Sequence, residues 1–158
     1  MIYTLTLNPS LDVTLECPHP IIEGTQRPGA VQHAGGKGID VSRMIHELGG
    51  ESIVMGFFGG FAGCTLEGML LQEGLQLDFV KVTQETRTNV IIIAPDRHQP
   101  EKKVTYRFNT LGPHVQSPEF LNLYHKVAAL QESDQERRPT FAVLCGTLPQ
   151  GILATSYV

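Results

Sequence analysis

A glycine-rich loop that runs straight into an amphipathic helix constrains this chain most. The loop, residues 34–40, reads AGGKGID. The apolar residues after it recur at helical spacing, at Val41, Met44, Ile45 and Leu48. Gly49 and Gly50 then provide a stop that tolerates the left-handed conformation. Because apolar runs typical of strands lie on both sides of this unit, the segment favours an α/β fold over an all-helical or all-β one.

Strand-like and helix-like segments alternate along the rest of the chain. Apolar or alternating runs predict strands over 2–7, 13–15, 52–58, 79–82, 89–94, 104–108 and 141–145. A second helix is predicted around Leu66 and Leu70, closed by Gly74, and a third from Ser117 as N-cap to about residue 135. This alternation predicts an α/β/α sandwich on a mostly parallel sheet. The β segments within about 12–33 and 88–108 do not fit it and predict a separate small sheet, with 23–33 rich in turns and at most short extended pieces.

Composition limits the classes of function. The 158 residues suffice for one domain, and 12 Lys+Arg against 16 Asp+Glu give a net charge of −4. That balance argues against a nucleic-acid partner or a membrane surface. We find neither a leader pattern nor a long apolar run, and the three cysteines lack CxxC spacing, which together predict a reduced, cytoplasmic protein. The six histidines show no HxxH or HExxH spacing, so no metal site is predicted.

The glycine-rich loop is the strongest candidate site. Backbone N–H groups at a helix N-terminus and the Lys37 ammonium together form a local anion or polyol site. A phosphate-binding Walker loop is excluded because Gly38, not Ser or Thr, follows Lys37. A dinucleotide fingerprint is excluded because Val41 stands where its third glycine is needed. The alternative is a tight structural turn before a packed helix.

Three further segments carry weaker signals. Arg87 and Asn89 lie at the entrance to a predicted strand, where a guanidinium and an amide suit a phosphate or a hydroxyl; a solvated loop arginine is the alternative. Asp12 follows the first strand, where open α/β folds place their ligands, although it could equally cap a turn. Thr147 lies in a glycine-containing turn, CGTLP, after the last strand.

Taken together, these segments resemble the PfkB branch of the ribokinase-like carbohydrate kinases. The matching segments are MIYTLTLNPSLD, AGGKGIDVSRMIHELGG, GFFGGFAG, ETRTNVIII, YRFNTLGP and LCGTLPQGI, in that order along nearly the whole chain. The resemblance implies a Rossmann-like α/β/α body with a small β-sheet lid over a sugar site. It also implies that residues 1–158 form the N-terminal, sugar-binding part of such a kinase, with lid strands within about 12–33 and 88–108.

The resemblance assigns roles to individual residues. Asp12 is expected to hold sugar hydroxyls, while Gly35 and Gly36 let the backbone approach the sugar. Arg87 is expected to pair with the phosphate that the substrate already carries. The other expected substrate-binding residues are Lys37 and Arg27, which add positive charge, and Asn89 and Thr147, which lie nearby.

Three positions depart from the family's usual residues. Asp40 stands where Asn is usual, Thr25 where some members have Lys, and Thr147 where Ser is usual. A carboxylate only accepts hydrogen bonds, so Asp40 changes which hydroxyls this expected substrate-binding position can hold. GGKG favours fructose 1-phosphate or tagatose 6-phosphate and YRFNTLGP favours fructose 6-phosphate, so the sugar stays open.

The family's catalytic Gly-Ala-Gly-Asp motif does not occur in this sequence. The resemblance therefore implies an ATP- and Mg²⁺-dependent phosphotransferase whose catalytic Asp and nucleotide site come from residues outside this chain, with no catalytic residue within it. We expect the 158 residues alone to be inactive. The alternatives are a sugar-phosphate-binding module without turnover, half of a split protein, or a fragment that aggregates through an open sheet edge. A homodimer through the lid sheet is a further possibility.

Overall fold

The fold is that of a computed structural model, which describes residues 1–21, 24–132 and 138–157. The strands are β1 (Ile2–Thr6), β2 (Ser10–Glu16), β3 (Gly29–Gly35), β4 (Ser52–Gly59), β5 (Gln76–Val82), β6 (Arg87–Pro95), β7 (Lys103–Phe108) and β8 (Phe141–Leu144). The helices are α1 (Lys37–Glu47), α2 (Gly60–Gln72) and α3 (Ser117–Gln131), and a short 3₁₀ helix spans Ala154–Tyr157.

The main sheet is wholly parallel, with strand order β5-β4-β1-β8. Side chains alternate between its two faces. Tyr3 and Leu5 of β1 pack in the cluster that holds Leu123 of α3, whereas Thr4 faces Ser42 of α1. A second cluster on the α1 and α2 side is formed by Ala34, Ile39, Val54, Phe58, Leu66, Leu70 and Leu75. The predicted α/β/α sandwich on a parallel sheet is therefore confirmed.

A second sheet has the order β3-β2-β6-β7. Strand β2 runs antiparallel to β3 and parallel to β6, and β6 and β7 are antiparallel neighbours. The separate small sheet predicted from the extra β segments is confirmed. The expectation that residues 23–33 contain at most short extended pieces is wrong, because Gly29–Gly35 is a seven-residue strand. It is an edge strand that pairs along its whole length with β2, and five of its residues are exposed, so it carries no apolar pattern.

The helix ends largely follow the glycine and capping signals. Helix α1 is followed by Gly49 with a φ of 80°, the left-handed stop expected from the sequence. The N-cap of α3 is Gln116 rather than the predicted Ser117, because Gln116 and Glu119 form a reciprocal capping box. The predicted end of this helix near residue 135 lies outside the described residues. No helix in the described part of the chain is both long enough and apolar enough to cross a membrane.

Ser42 anchors α1 to the main sheet through a buried hydroxyl network. Its Oγ lies 2.7 Å from Thr4 Oγ1, and Ser52 donates a hydrogen bond to it at 2.9 Å. Ser42→Ala leaves both neighbouring hydroxyls buried without this partner, so we expect the free energy of unfolding to fall by about 1 kcal/mol. Urea unfolding measures this loss. Ser117→Ala, at an exposed position, is the control; equal losses in the two variants would contradict a special role for the network.

Candidate functional site

The candidate site lies where the two sheets meet. The chain leaves β1 at Thr6 and enters β2 at Ser10, so the carboxyl end of a main-sheet strand leads directly into the second sheet. It returns through Gly35, the last residue of β3, and begins α1 at Lys37. Since Ser10 pairs with both Gly35 and Arg87, the start of β2, the end of β3 and the start of β6 are brought together. This junction is the carboxyl edge at which open α/β sheets bind ligands.

Asp12 and Asn89 form a bonded pair at this junction. They are opposite each other in the β2–β6 register, and Asn89 Nδ2 donates to Asp12 Oδ1 at 2.8 Å. Asn89 is buried and its Oδ1 has no hydrogen-bond partner within the described residues. Asp12 belongs to β2 itself, so the alternative of a turn-capping Asp does not apply. The pair offers a fixed carboxylate and a free amide oxygen, both acceptors for hydroxyl groups.

Arg87 is the first residue of β6 and is half-buried. It lies two positions before Asn89, so the two side chains project from the same face of the sheet, about 7 Å apart along the strand. Its Nε is buried and has no hydrogen-bond partner among the residues that the structure describes. A buried guanidinium donor without an acceptor is a group that a bound anion, such as a phosphate, would satisfy. The alternative of a solvated loop arginine does not match this burial.

Two glycines, Gly35 and Gly36, bring backbone close to the Asp12 carboxylate and to β1. A Cβ placed on Gly35 would lie 2.6 Å from Asp12 Oδ2 and 2.8 Å from Ser10 Oγ. Gly36 is the N-cap of α1, and a Cβ there would lie 2.7 Å from Thr6 Cγ2. These glycines therefore allow β3, β2 and β1 to approach closely. They place the open end of α1, with the exposed Lys37 as its first residue, at the same junction.

Asn8 is a site residue that the sequence analysis missed. It is buried just after β1, and its Nδ2 donates to Thr147 Oγ1 at 3.1 Å and to the Leu148 carbonyl at 3.3 Å. Its Oδ1 lacks a partner within the described segments, and a Cβ on Gly112 would fall 2.1 Å from it. Asn8 thus joins the loop after β1, the loop after β7 and the turn that contains Thr147. The sequence signal that could have identified Asn8 is a polar residue directly after a buried strand.

Asp40 lies in the first turn of α1, but its carboxylate is paired outward. Arg43 Nη1 donates to Asp40 Oδ1 at 2.9 Å, and the same guanidinium makes two hydrogen bonds to Glu73 at the end of α2. The Asp40 side chain is 65% exposed. The structure therefore brings Asp40 to the site's edge, bonded to Arg43 rather than to the Asp12–Asn89 pair.

Arg27 is not brought to the site. It lies in the β2–β3 connection and lines a cavity with Glu16, Pro95 and Lys103. Because β2 and β3 are antiparallel, their connection is at the opposite end of the second sheet from Ser10 and Gly35. The six steps from Gly29 to Gly35 correspond to about 20 Å. The expectation that Arg27 adds charge beside Arg87 therefore does not hold within one chain.

The thiol of Cys145 is influenced by the charged residues at the N-terminal end of α1. Cys145 follows β8, and its backbone N–H donates to the Leu5 carbonyl at 3.3 Å. Burial raises the pKa of its thiol, while Lys37 lowers that pKa and Asp40 raises it. Both charged residues of the first turn of α1 therefore influence the thiol that follows β8. Among the described residues the three cysteines Cys17, Cys64 and Cys145 form no disulfide.

Comparison with known proteins decides the family. The pattern of the pfkB family carbohydrate kinases matches residues 17–139. The chain belongs to the pfkB family. This pfkB chain is 32% identical to 1-phosphofructokinase of Bacillus subtilis over 99% of its own length and 48% of that protein's. It is 32% identical to tagatose-6-phosphate kinase of Staphylococcus epidermidis over 99% of its length and 47% of that protein's.

A solved structure agrees with the family assignment. The phosphofructokinase-2 of Escherichia coli, in complex with fructose-6-phosphate, superposes with a TM-score of 0.79 at 30% identity. The match covers 99% of this pfkB chain and 48% of that chain. The ribokinase-like fold expected from the sequence is thus confirmed. The chain spans about half the length of the relatives that it matches.

Proposed function

We propose that this chain supplies the sugar-phosphate site of an ATP-dependent kinase that phosphorylates a hydroxyl of a phosphorylated ketohexose. One observation carries the proposal: the Asp12–Asn89 pair and Arg87, whose Nε has no partner within the residues that the structure describes, project from the same face at one end of the second sheet. Acceptors for hydroxyls therefore lie about two strand positions from a cation for a phosphate. Fructose 1-phosphate, fructose 6-phosphate and tagatose 6-phosphate each carry both hydroxyl groups and a phosphate.

The proposed roles follow from this geometry. The Asp12 carboxylate accepts hydrogen bonds from sugar hydroxyls and the Arg87 guanidinium binds the existing phosphate. Gly35 and Gly36 let the backbone lie directly beside Asp12 and Thr6, next to the proposed sugar position, and Lys37 adds positive charge at the open end of α1. Thr147, held by Asn8, borders the same junction from the β8 side.

ATP and Mg²⁺ belong to the proposed reaction but not to the residues described here. Among these residues no group of three or more His, Cys, Asp and Glu side chains converges as a metal ion requires. The Gly-Ala-Gly-Asp motif of the family is not in the sequence. We therefore propose that the nucleotide, its metal ion and the catalytic Asp are held by the part of the family fold that this chain does not span.

Calorimetric titration of the 158-residue chain tests the proposal. The ligands are the three ketohexose phosphates, with fructose and inorganic phosphate as controls for each half of the recognition. We expect at least one sugar phosphate to bind more tightly than either control, because only it engages Asp12 and Arg87 together. Equal affinity for fructose and for its phosphates would refute the assignment. Release of ADP from Mg·ATP by the chain alone would show that it needs no further catalytic residues.

A second candidate is a half-fold that functions only with a partner carrying the remaining half. The edge of the main sheet at β8 favours it, because within the described part of the chain β8 pairs with β1 alone and leaves Phe141 65% and Leu144 45% exposed. An open parallel edge with apolar side chains suits the addition of another strand. Turnover that appears only when the second half of a relative is added would distinguish this candidate from a simple binding module.

We also propose that the second sheet carries a homodimer interface. Its face opposite Asp12 is apolar and half-exposed, with Val13, Leu15, Val90, Ile92, Tyr106 and Phe108 in registered positions. Tyr106 is 43% exposed and Phe108 is 56% exposed. An apolar sheet face of this kind is suited to a copy of itself, because a two-fold axis buries the same patch on both chains.

Ile92→Asp is expected to convert the dimer into a monomer, because it places a charge in the centre of this face. Light scattering coupled to size-exclusion chromatography measures the change. Ile91→Asp is the matched control, since Ile91 is the neighbouring residue of β6 on the opposite face and is equally half-buried. A wild-type monomer at high concentration, or dissociation of both variants alike, would contradict this interface.

A further inference from the structure

The two residues just before Arg87 are bonded to the turn between β4 and α2. The Thr86 N–H donates to the Gly59 carbonyl at 2.9 Å, and the Gly59 N–H donates to Thr86 Oγ1, also at 2.9 Å. The Glu85 carboxylate accepts a hydrogen bond at 2.6 Å from the N–H of Ala62, in the first turn of α2. These three hydrogen bonds, called the Glu85–Thr86 anchor below, connect the main sheet to the point at which β6 begins.

Two adjacent glycines make room for the anchor. A Cβ on Gly59 would overlap the carbonyl oxygen of Gln84. Gly60 has a φ of 64°, and a Cβ on it would overlap the Glu85 carboxylate. The segments GFFGGFAG and ETRTNVIII are distant in sequence but meet here, and the glycine pair of the first receives the start of the second.

Thr86 holds this point of the chain from a position that a ligand does not reach. It is only 2% exposed, and its hydroxyl oxygen already accepts the hydrogen bond from Gly59. Arg87, the next residue, forms the terminal pair of the β2–β6 ladder with Ser10. A terminal pair has a paired neighbour on one side only, so it opens more easily than the pairs inside the ladder. The anchor supplies a restraint from the other side.

We propose that Thr86, assisted by Glu85, is a positioning residue that fixes the start of β6 so that the Arg87 guanidinium is held for the phosphate of the substrate. The inference rests on the proposed function, in which Arg87 binds that phosphate. The Arg87 Nε is already enclosed by protein, and it has no hydrogen-bond partner in the part of the chain that the structure describes. A group that is held in place before binding loses less freedom when the ligand arrives, so the anchor strengthens binding without touching the ligand.

A double-mutant cycle tests the inference. Thr86→Val removes the hydroxyl but keeps the branched shape of the side chain, and we expect the Kd of the tightest-binding ketohexose phosphate to rise about threefold to tenfold. This is part of the tenfold to hundredfold loss expected when the guanidinium itself is removed. In an Arg87→Ala background the same substitution should change the Kd by less than twofold, because no guanidinium is left to position. Calorimetry measures the four Kd values, and equal changes in the two backgrounds would overturn the inference.

Two controls separate positioning from a general loss of stability. Thr86→Ser keeps the hydroxyl, so its Kd should stay within twofold of wild type. Ser42→Ala also removes a buried hydroxyl with two partners, but it lies between α1 and the main sheet, and its Kd should likewise stay within twofold. A rise in Ser42→Ala as large as in Thr86→Val would mean that affinity follows stability rather than the position of Arg87.

Glu85 allows a test that leaves Thr86 intact. Glu85→Gln and Glu85→Ala remove the same charge, but only glutamine keeps an oxygen that accepts a hydrogen bond from the Ala62 N–H. We expect the Kd to be at least twofold higher in Glu85→Ala than in Glu85→Gln, and equal values would contradict the role of the anchor. Because Glu85 is exposed, both variants are expected to fold, and this comparison decides the inference if Thr86→Val does not fold.

A further readout does not depend on sugar binding. The exchange of the Arg87 Nε–H with water is measured by NMR on the free chain, with the signal assigned by its absence from Arg87→Ala. Thr86→Val should speed this exchange at least threefold, because release of the anchor opens the enclosed Nε to water, whereas Thr86→Ser and Ser42→Ala should not. If no ketohexose phosphate binds the wild-type chain, the proposed function fails and this rate alone decides whether Thr86 holds Arg87. An unchanged rate in Thr86→Val would refute it.

Discussion

Replacement of Arg87 by alanine is expected to raise the Kd of a ketohexose phosphate by about tenfold to a hundredfold. The guanidinium is half-buried and its Nε has no partner among the described residues, so a phosphate would satisfy this donor. A hydrogen bond to a charged group contributes about 1.5–3 kcal/mol, which gives this range. Arg87→Lys should fall between wild type and alanine, because lysine keeps the charge but loses the planar fork that fits a phosphate.

Arg107→Ala is the matched control for this experiment. Arg107 stands opposite Ile91 in the β6–β7 register, on the same face of the second sheet, but it is exposed. Its loss removes one positive charge from that face without removing a buried donor, and we expect less than a threefold change. A Kd that responds equally to both substitutions would mean that the phosphate senses general charge and not the Arg87 guanidinium. An unchanged Kd in Arg87→Ala would remove Arg87 from the site.

The parts of the fold that follow from sequence are those whose side chains repeat with a clear period. Apolar residues at helical spacing predict helix α1, and a continuous apolar run predicts strand β4, which is buried along almost its whole length. The predicted apolar face of α1 is wrong in part, because the helix buries Gly38, Ile39 and Ser42, whereas Met44 and Leu48 are 55% and 80% exposed. Strand β3 could not be predicted in this way. Its residues GAVQHAG are small or polar and mostly exposed, and the strand is specified by pairing with β2. Such pairing joins residues distant in sequence and leaves no local pattern.

Strand β3 also decides where Arg27 lies. The role expected for Arg27 came from the family resemblance, and its distance from Arg87 depends on a strand that the sequence does not predict. With β3 in place, the antiparallel register fixes Gly35 at Ser10 and sends the connection to the far end of the sheet. The sequence places Arg87 and Asn89 at the entrance of a strand. The structure agrees, because in the β2–β6 register Arg87 pairs with Ser10 and Asn89 pairs with Asp12.

The Arg43–Asp40 pair shows a different limit. Spacing of three residues on a helix makes such a pair possible, but the competing bond to Glu73 depends on how α1 and α2 pack. Sequence identified Asp40 as a departure from the family, and only the tertiary structure shows which group holds its carboxylate. The same holds for Asn8, whose partner Thr147 lies 139 residues away.

Gly35→Ala is expected to weaken binding of a ketohexose phosphate by about tenfold or more while leaving the fold intact. The added Cβ would lie 2.6 Å from Asp12 Oδ2, closer than side-chain carbons approach, so the carboxylate must move. Movement of Asp12 disturbs its 2.8 Å hydrogen bond from Asn89, and both acceptors for sugar hydroxyls shift together. Gly35 is not among the glycines with positive φ, so alanine fits the backbone and the substitution tests crowding alone.

Gly29→Ala provides the control at the other end of the same strand. Nothing lies within 4 Å of a Cβ at Gly29, and it too has no positive φ, so neither binding nor stability should change by more than about 0.5 kcal/mol. Calorimetry and urea unfolding of both variants give the two quantities side by side. Because the groups that must yield at Gly35 are the ends of flexible side chains, its stability loss should stay near 1 kcal/mol, below the loss in binding. Equal affinity in the two variants would mean that the Asp12 carboxylate has no part in holding the sugar.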